Sequence, residues 1–227
     1  MSNEIETKNF LNQIKNEARA EGILQFFEKH KKLLKRIAIY FTVFLFTYFI
    51  FSVINSSLQE KYSEIFHQAM IDEELGNAAK AQENLETIYK ANFAPYGVKG
   101  LAGLRLAAIH LQKNDKEIAL TIYKNIATNF LYNDFVQESA ALTATKIIVI
   151  GFDQNSAEKN REKTKKEIEK LASGNSILRD AFYEQQAIFL IKIEQKEKAR
   201  SFLEKIVKSE KATQSQKTRA SNLIKLI

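Results

Sequence analysis

An uncharged apolar stretch near the N-terminus limits most strongly how this chain can fold. Residues 37–54, IAIYFTVFLFTYFIFSVI, contain no charged residue, no Gly and no Pro. A helix of this length reaches about 27 Å, which is close to the hydrocarbon thickness of a bilayer. The stretch therefore predicts a single transmembrane helix. The alternative is a buried core helix, but apolarity on every side combined with a flanking basic cluster is more typical of a membrane span.

Positive charge lies on one side of this stretch. Five cations occupy the eight residues before Ile37, whereas Lys61 is the only cation in the twenty residues after Ile54. Because Lys and Arg favour the cytoplasmic side of a membrane, the N-terminus is predicted to be cytoplasmic and the larger C-terminal part to be exported. The flanking cations are Lys29, Lys31, Lys32, Lys35 and Arg36.

A cleaved signal peptide is the main rival interpretation of the apolar stretch. Signal peptides combine a short basic leader with an apolar core of about 7–15 residues. Here thirty-six residues precede a span of eighteen, although the small residues Asn55, Ser56 and Ser57 follow it. We therefore expect an uncleaved signal anchor.

The leader, residues 1–36, has too few apolar residues to build a core of its own. We expect a frayed helix followed by an amphipathic one. Its second half, GILQFFEKHKKLLKR, alternates apolar and basic residues at helical spacing. This pattern suits the headgroups of an anionic leaflet, or serves only as a positive topology signal, and both interpretations stay open.

The remainder, residues 55–227, is long enough for one compact domain. Only seven Gly and one Pro occur in the whole chain, so hairpin turns between strands have little material and an all-α class is predicted. The absence of Cys excludes disulfides and thiolate metal sites.

Small residues recur in pairs along this domain and indicate an internal repeat. One set is spaced by 38, 38 and 42 residues, and a second set lies twelve residues before it with the same steps. Apolar residues follow four and seven positions after the later small residue in three units, on one helical face. The two sets are Ala81, Ala119, Ala157 and Ala199, and Ala69, Ala107, Thr145 and Ala187.

Helix-breaking residues separate the two small positions of each unit. The breaks are predicted at Leu75-Gly76-Asn77, Lys113-Asn114-Asp115, Gly151-Phe152-Asp153 and Glu194-Gln195-Lys196. Gly or Asn can end one helix, and Asn, Asp or Ser can cap the next. Each unit is therefore predicted to be a helical hairpin. The final stretch, residues 211–227, is predicted to be a helix that covers the end of the array.

The pattern resembles the tetratricopeptide repeat. That family places a small residue on each helix of a hairpin, twelve positions apart, and large apolar residues four and seven positions later. The unit length of 38 and the missing Trp-Leu-Gly-Tyr signature depart from it, and the third unit has Arg161 and Thr164 at the apolar positions. The resemblance implies an α-solenoid of about four hairpins. The matches are Ala69, Ala81, Leu85 and Ile88, then Ala107, Ala119, Tyr123 and Ile126, then Ala187, Ala199, Leu203 and Ile206.

No catalytic or cofactor motif is recognisable in the sequence. Glu64 and His67 form a lone Glu-x-x-His, whereas a di-iron site in a helical bundle requires two such pairs. The stretch GVKGLAG, residues 97–103, lacks the spacing of a nucleotide-binding loop and is better explained by close helix packing. We predict no metal, no cofactor and no enzymatic activity, and an enzyme with an unfamiliar site is the least favoured alternative.

A partner-binding groove is the most specific functional prediction. In the repeat register, the inner face of the first helices displays apolar residues that could hold a hydrophobic peptide or a partner helix. The same residues could equally be core. They are Phe66, Met70, Leu101, Leu104, Leu111, Leu142, Ile188 and Ile191.

The third unit carries a basic run, KNREKTKKEIEK, at residues 159–170. It predicts an exposed and partly detached helix. A solvated face is the simplest interpretation, and contact with anionic lipid or an acidic partner is the alternative. Nucleic acid is disfavoured because the run has no interleaved aromatic residues.

The order of a basic leader with FFEK at residues 26–29, one span and a few hairpins resembles the bacterial inner-membrane family of ancillary subunits of the SecYEG translocon. This resemblance implies a periplasmic helper that contacts the translocon and passes exported chains to chaperones. The alternative is a scaffold or assembly factor of an envelope complex, with the same fold and no chaperone role.

Overall fold

A computed structural model describes the backbone of residues 2–172 and 177–227 and the side chains of residues 29–172 and 177–227. The chain divides into two compact units, residues 1–57 and residues 58–227. Within the described residues the secondary structure is entirely helical. The predicted all-α class is therefore confirmed.

The first helix, α1 (Ser2–Glu74), runs without a break through the leader and the apolar stretch. The leader was expected to form two helices, and its backbone instead forms part of this single helix. Its second half, residues 22–36, was predicted to be amphipathic, and residues 22–28 of this segment lie outside the described side chains.

One segment of α1 is long and apolar enough to cross a membrane, with a mean hydropathy of 2.3 over its best window and none of that window buried. All the side chains of residues 37–54 are exposed in the structure. A buried core helix is therefore wrong for this stretch. Among the residues that the structure describes, one helix near the N-terminus is therefore a candidate membrane helix.

In the part of the chain that the structure describes, eight further helices follow α1. Neighbours in the chain pack against each other, and α3, α5 and α7 also pack side by side. The helices are α2 (Ala78–Lys90), α3 (Tyr96–Gln112), α4 (Lys116–Thr128), α5 (Asp134–Gly151), α6 (Glu158–Leu171), α7 (Arg179–Lys192), α8 (Lys196–Lys208) and α9 (Gln214–Leu226). The helix breaks that were predicted at Gly76, Asn114 and Gly151, and from a weaker signal at Glu194, all coincide with breaks between helices in the structure.

Three hairpin turns share one backbone geometry. Each contains a left-handed residue: Gly76 at φ 78°, Asn114 at φ 64° or Glu194 at φ 62°. The next backbone N–H then donates to a carbonyl in the preceding helix five residues back, as in a Schellman motif. These bonds run from Asn77 to Asp72 at 2.8 Å, from Asp115 to His110 at 2.8 Å and from Gln195 to Leu190 at 2.9 Å.

The small residues predicted at the helix crossings are buried, with one exception. Ala69, Ala107, Thr145 and Ala187 are 0% exposed, and so are Ala81, Ala119 and Ala199. A side chain no larger than these lets two helix backbones approach closely, which explains the repeated pattern. We call the three hairpins that keep it the regular hairpins: residues 58–74 with α2, α3 with α4, and α7 with α8.

The exception is Ala157, for which the prediction was wrong. It precedes α6 as its N-cap residue and is exposed, because the linker between α5 and α6 runs over residues 152–157. The extra residues of the third repeat therefore lie inside its hairpin, and the fourth position of α6 is Arg161. Thr164 was predicted to occupy the second apolar position of this helix. In the structure Ile168 occupies that position and is 1% exposed.

Two hydrophobic cores run through the second unit. The first joins residues 58–74 with α2, α3, α4 and the start of α5, and the second joins the end of α5 with α6, α7, α8 and α9. In α9, Ala220 is buried, and Leu223, Ile224 and Ile227 pack against the second core. The C-terminal helix, which was predicted to cover the end of the helical array, therefore packs against the second core.

Candidate partner-binding surfaces

The predicted groove residues of the first two hairpins are half-buried or exposed. Phe66, Met70, Leu104 and Leu111 are partly buried and pack against the first core. Leu101 is 47% exposed, although it lies one helical turn before Leu104 on α3. These residues therefore support the core with part of their surface and offer the rest to solvent.

The other predicted groove residues belong to the later hairpins. Ile188 and Ile191 on α7 are partly buried against the second core, and Leu142 on α5 is half-buried. The predicted set is thus divided between two cores. Its most accessible member is Leu101.

Close packing of α3 explains the glycines of the GVKGLAG stretch. A Cβ atom added at Gly103 would lie 2.8 Å from Ile126 Cδ1 and 2.8 Å from Tyr89 Cδ2, whereas a Cβ at Gly97 would meet nothing within 4 Å. Gly100 is similarly close to Tyr132 and Val136. The first helix of the second hairpin therefore needs these two glycines to seat against its neighbours, as the sequence indicated.

A cleft of about 500 Å³ opens beside the third hairpin. Its wall includes Asp134, Gln137 and Glu138 from α5, Lys170 from α6 and Phe182 from α7. The Oε2 atom of Glu138 is buried without a hydrogen-bond partner. A buried carboxylate oxygen without a partner is costly, so Glu138 is an energetically unfavourable polar group in the wall of this cleft.

A smaller cleft of about 200 Å³ lies on the other side of α6. Lys165 and Ile168 face it from α6, and Phe189 and Phe202 face it from α7 and α8. The two clefts arise because α6 buries only Ile168 among its residues and leaves space along both sides. Of the twelve residues of the basic run, six are exposed, five are half-buried and Ile168 is buried, so the helix is exposed on part of its surface and packs against its neighbours with the rest.

Tyrosine side chains gather where the second hairpin meets the third. The rings of Tyr96 and Tyr132 pack edge to face with centroids 5.8 Å apart. Burial, and to a smaller extent the neighbouring Tyr89 and Tyr96, raises the pKa of Tyr132 to about 12. Burial likewise raises the pKa of Tyr123, whose hydroxyl lies 3.5 Å from the carbonyl oxygen of Leu104. These hydroxyls stay neutral and serve packing at physiological pH.

Exposed aromatic residues in the loops between hairpins were missed by the sequence analysis. In these loops Phe93 is 79% exposed and Phe130 is 84% exposed, and Phe135, in the first turn of α5, is 58% exposed. Phe93 and Leu131 occupy equivalent positions after the second helices of the first two hairpins. An apolar residue recurring in a linker, where solvent usually favours polar residues, was the available signal.

The flanking cations Lys29, Lys31, Lys32, Lys35 and Arg36 are all exposed.

Among the described residues, no group of three or more His, Asp and Glu side chains is arranged to hold a metal ion. His67 is exposed, and His110 is buried with its Nδ1 atom 3.4 Å from Asp115 Oδ2, across the second hairpin turn.

Over the described residues, the fold and the exposed apolar segment define an all-helical chain with one candidate membrane helix. The chain belongs to the family described as "Protein of unknown function (DUF2659)", whose model matches residues 7–226. No curated protein and no solved structure matches the chain.

Proposed function

We propose that this chain is a membrane-anchored, non-enzymatic protein-interaction module of the bacterial cell envelope. In this proposal residues 37–54 cross the inner membrane once, the N-terminus is cytoplasmic and residues 58–227 lie in the periplasm. Support comes from the apolar segment, whose best window is entirely unburied, and from the five exposed cations on its N-terminal side.

The second unit is proposed to be a tetratricopeptide-like solenoid. The repeated Schellman turns and the buried alanines of the regular hairpins support this. A further repeat supports it as well: the isoleucines Ile88, Ile126, Ile168 and Ile206 each occupy the eleventh position of a second helix and are at most 1% exposed. Stacked helical hairpins of this kind commonly present extended binding surfaces.

The exposure of Leu101 is the observation that carries the binding proposal. It lies on the first helix of the second hairpin and is 47% exposed, one helical turn before the half-buried Leu104. An apolar peptide or helix that covered these side chains would gain about 25 cal/mol per Å² of apolar surface removed from water. The favoured partners are exported polypeptides, the Sec translocon or a periplasmic chaperone.

Photo-crosslinking in intact membranes tests the proposal with a matched pair of positions. Leu101 and Ile118 are 47% and 49% exposed, but Leu101 lies on a first helix and Ile118 on a second helix. A photoreactive residue at 101 is expected to capture a protein that the same residue at 118 does not. Equal capture at both positions, or none at 101, contradicts a binding surface on the first helices.

The captured protein distinguishes the proposed helper from a scaffold. Recovery of translocon subunits, chaperones or nascent exported chains supports the helper. Recovery of a single fixed envelope complex supports the structural alternative. A compartment reporter fused after Ile227 tests the topology separately, and activity of a cytoplasmic reporter would contradict export of the second unit.

A further inference from the structure

The outward face of α6 consists of lysines alone. At about 100° per residue, four side chains lie within about 60° of one another on the side of this helix that is opposite the buried Ile168. All four are exposed. They follow one another at steps of four, three and four residues and extend about 16 Å along the helix axis. We call them the lysine stripe, which comprises Lys159, Lys163, Lys166 and Lys170.

The stripe is specific to the third hairpin. The second helices of the four hairpins can be aligned on the buried isoleucine at their eleventh position, which is Ile168 in α6. At the four stripe positions, each of the other second helices carries at least one Glu and a single Lys. These residues are Glu83, Glu86 and Lys90 in α2, Glu117 and Lys124 in α4, and Glu197, Glu204 and Lys208 in α8. The regular second helices therefore mix both signs of charge on this face, whereas α6 presents four positive charges.

The glutamates of α6 do not neutralise the stripe. Glu162 pairs with Lys165 at 4.0 Å, and Glu167 pairs across the helix interface with Lys124 of α4. The three stripe lysines before Lys170 form no ion pair or hydrogen bond with any residue that the structure describes. Within the described chain, these three lysines therefore have no counter-charge.

Glutamates on both sides limit the width of the stripe. Around the helix, Glu162 and Glu169 lie about 70–90° from its centre on one side, and Glu167 lies about 70° from it on the other. A wide anionic surface, such as a bilayer of acidic lipids, would bring its charges against these carboxylates as well as against the lysines, and like charges repel. The exposed residues of α6 also include no apolar side chain that could enter a bilayer. The stripe therefore favours a single row of negative charges.

A helix can provide such a row. Carboxylates at steps of four, three and four residues lie on one face of a helix and rise by the same distances as the lysines. The order of the steps is the same in both directions, so a partner helix can run parallel or antiparallel to α6. A single exposed ion pair contributes little to binding, and four pairs in register are needed together. Nucleic acid fits less well, because α6 has no aromatic side chain on which a base could stack.

We propose that the lysine stripe binds an acidic helix of a partner protein, whose carboxylates at positions i, i+4, i+7 and i+11 pair with the four lysines. The inference goes beyond the proposed function because it adds a second, charged surface to the apolar one around Leu101. It depends on neither that surface nor the membrane anchor. Charge complementarity of this kind selects the partner and raises the rate of encounter more than it raises affinity.

Peptide binding to the full-length chain in nonionic detergent tests the proposal. The matched peptide is a fluorescein-labelled, alanine-rich helix with Glu at positions i, i+4, i+7 and i+11. The control peptide has the same composition, but its Glu residues are distributed around the helix. Fluorescence anisotropy at low ionic strength measures both dissociation constants, because exposed ion pairs are least screened there. The matched peptide is expected to bind about tenfold more tightly than the control peptide.

Two quadruple variants with the same net charge identify the surface that binds. In the stripe variant, Gln replaces all four stripe lysines. In the other variant, Gln replaces four exposed lysines elsewhere in the second unit, as Lys116→Gln, Lys196→Gln, Lys211→Gln and Lys225→Gln. The stripe variant is expected to lose the preference for the matched peptide, and the other variant to keep it. Equal binding of the two peptides by the unchanged chain, or equal losses in the two variants, overturns the proposal.

A charge reversal provides a second measurement that does not depend on loss of binding alone. Lys163→Glu together with Lys166→Glu is expected to weaken binding of the matched peptide and to favour a peptide with Lys at its two central charged positions. A variant that still prefers the all-Glu peptide contradicts pairing along the stripe. Circular dichroism checks that the variants keep the helical content of the unchanged chain.

Two anionic competitors test the other classes of partner. Phosphatidylglycerol added to the detergent micelles, compared with phosphatidylcholine, is expected to leave the preference for the matched peptide unchanged. A duplex RNA at the same concentration of negative charge as the matched peptide is expected not to displace it. Loss of the preference with phosphatidylglycerol alone would assign the stripe to lipid, and displacement by RNA would assign it to nucleic acid. Either result overturns the proposal.

Discussion

The regular hairpins and the third hairpin are built on the same plan but bury different side chains. The second helix of a regular hairpin places Ala at its fourth position and large apolar residues at its eighth and eleventh, as in Ala81, Leu85 and Ile88. In α6 the corresponding residues are Arg161, Lys165 and Ile168, and only Ile168 is buried. One apolar residue in three is enough to keep α6 beside its neighbours but leaves a cleft on each side.

The turns differ together with the helices. A regular turn satisfies the last carbonyls of its first helix with backbone N–H groups. In the third hairpin, Lys192 Nζ donates instead to the carbonyl oxygen of Val149 at 2.7 Å. Arg161 donates to the carbonyl oxygens of Ser156 at 3.0 Å and Gln154 at 2.9 Å. The longer linker is thus held by side chains, which explains why a cation occupies the position of the small residue.

Truncation of a second-helix leucine should give the largest difference between the two kinds of hairpin. Leu85 is 0% exposed, so Leu85→Ala is expected to lower the free energy of unfolding by about 2–5 kcal/mol. Lys165→Ala, at the equivalent position of α6, should change it by less than about 0.5 kcal/mol. Chemical denaturation of the full chain in detergent measures both. Similar losses would show that α6 is packed like α2.

A methyl group added to α3 should have the next largest effect. Gly103→Ala places a Cβ 2.8 Å from Ile126 Cδ1 and is expected to cost about 1–3 kcal/mol. Gly97→Ala, on the same helix with open space around it, should be neutral or stabilise by up to about 1 kcal/mol because Ala favours helix. Thermal unfolding of the two variants makes the comparison, and equal effects would contradict close packing at Gly103.

At the left-handed residues of the regular turns, substitution by glycine and substitution by alanine should have opposite effects on stability. Glu194 has φ 62°, so Glu194→Gly is expected to stabilise by about 0.5–1 kcal/mol through relief of left-handed strain. Gly76→Ala, at the equivalent turn with φ 78°, should destabilise by about 1 kcal/mol. Glu194→Ala removes the charge but keeps the strain and serves as the control. A gain for Glu194→Ala equal to that for Glu194→Gly would attribute the effect to charge.

Restoring an apolar residue to α6 should give the smallest effect and sharpen the comparison. Lys165 lines the smaller cleft, and Lys165→Leu recreates the Leu of α2 and α8 at this position. The variant is expected to gain about 0.5–1 kcal/mol by filling the cleft. Lys163→Leu, on an exposed position of the same helix, should gain nothing. A gain from Lys163→Leu alone would mean that helix propensity, and not packing, limits α6.

Most of the hairpin boundaries followed from the sequence because they depend on local chemistry. Gly76 and Asn114 tolerate the left-handed conformation and mark their turns directly. Glu194 does not favour that conformation, so its turn gave a weak signal. The spacing argument failed in the third hairpin because Ala157 lies 38 residues after Ala119, as a regular repeat requires. The buried isoleucines show the true spacing: Ile168 lies 42 residues after Ile126, so the longer step falls within the third hairpin.

The candidate surfaces were predicted only in part. Helical periodicity placed Leu101, Leu104 and Phe66 on first helices, but a pattern of apolar residues does not distinguish a half-buried side chain from an exposed one. The clefts around α6 depend on distances between segments far apart in the chain, which the periodicity of the sequence does not report.

The sequence by itself determined the helical class, the candidate membrane helix and the order of the hairpins, because each arises from the composition and spacing of neighbouring residues. Only the tertiary structure decided which side chains the stacked helices cover. In that structure Arg161 occupies a small-residue position, Leu101 is accessible and Tyr96 packs against Tyr132. The exposure of a residue depends on what packs against it from elsewhere in the chain, and a local sequence pattern does not contain that information.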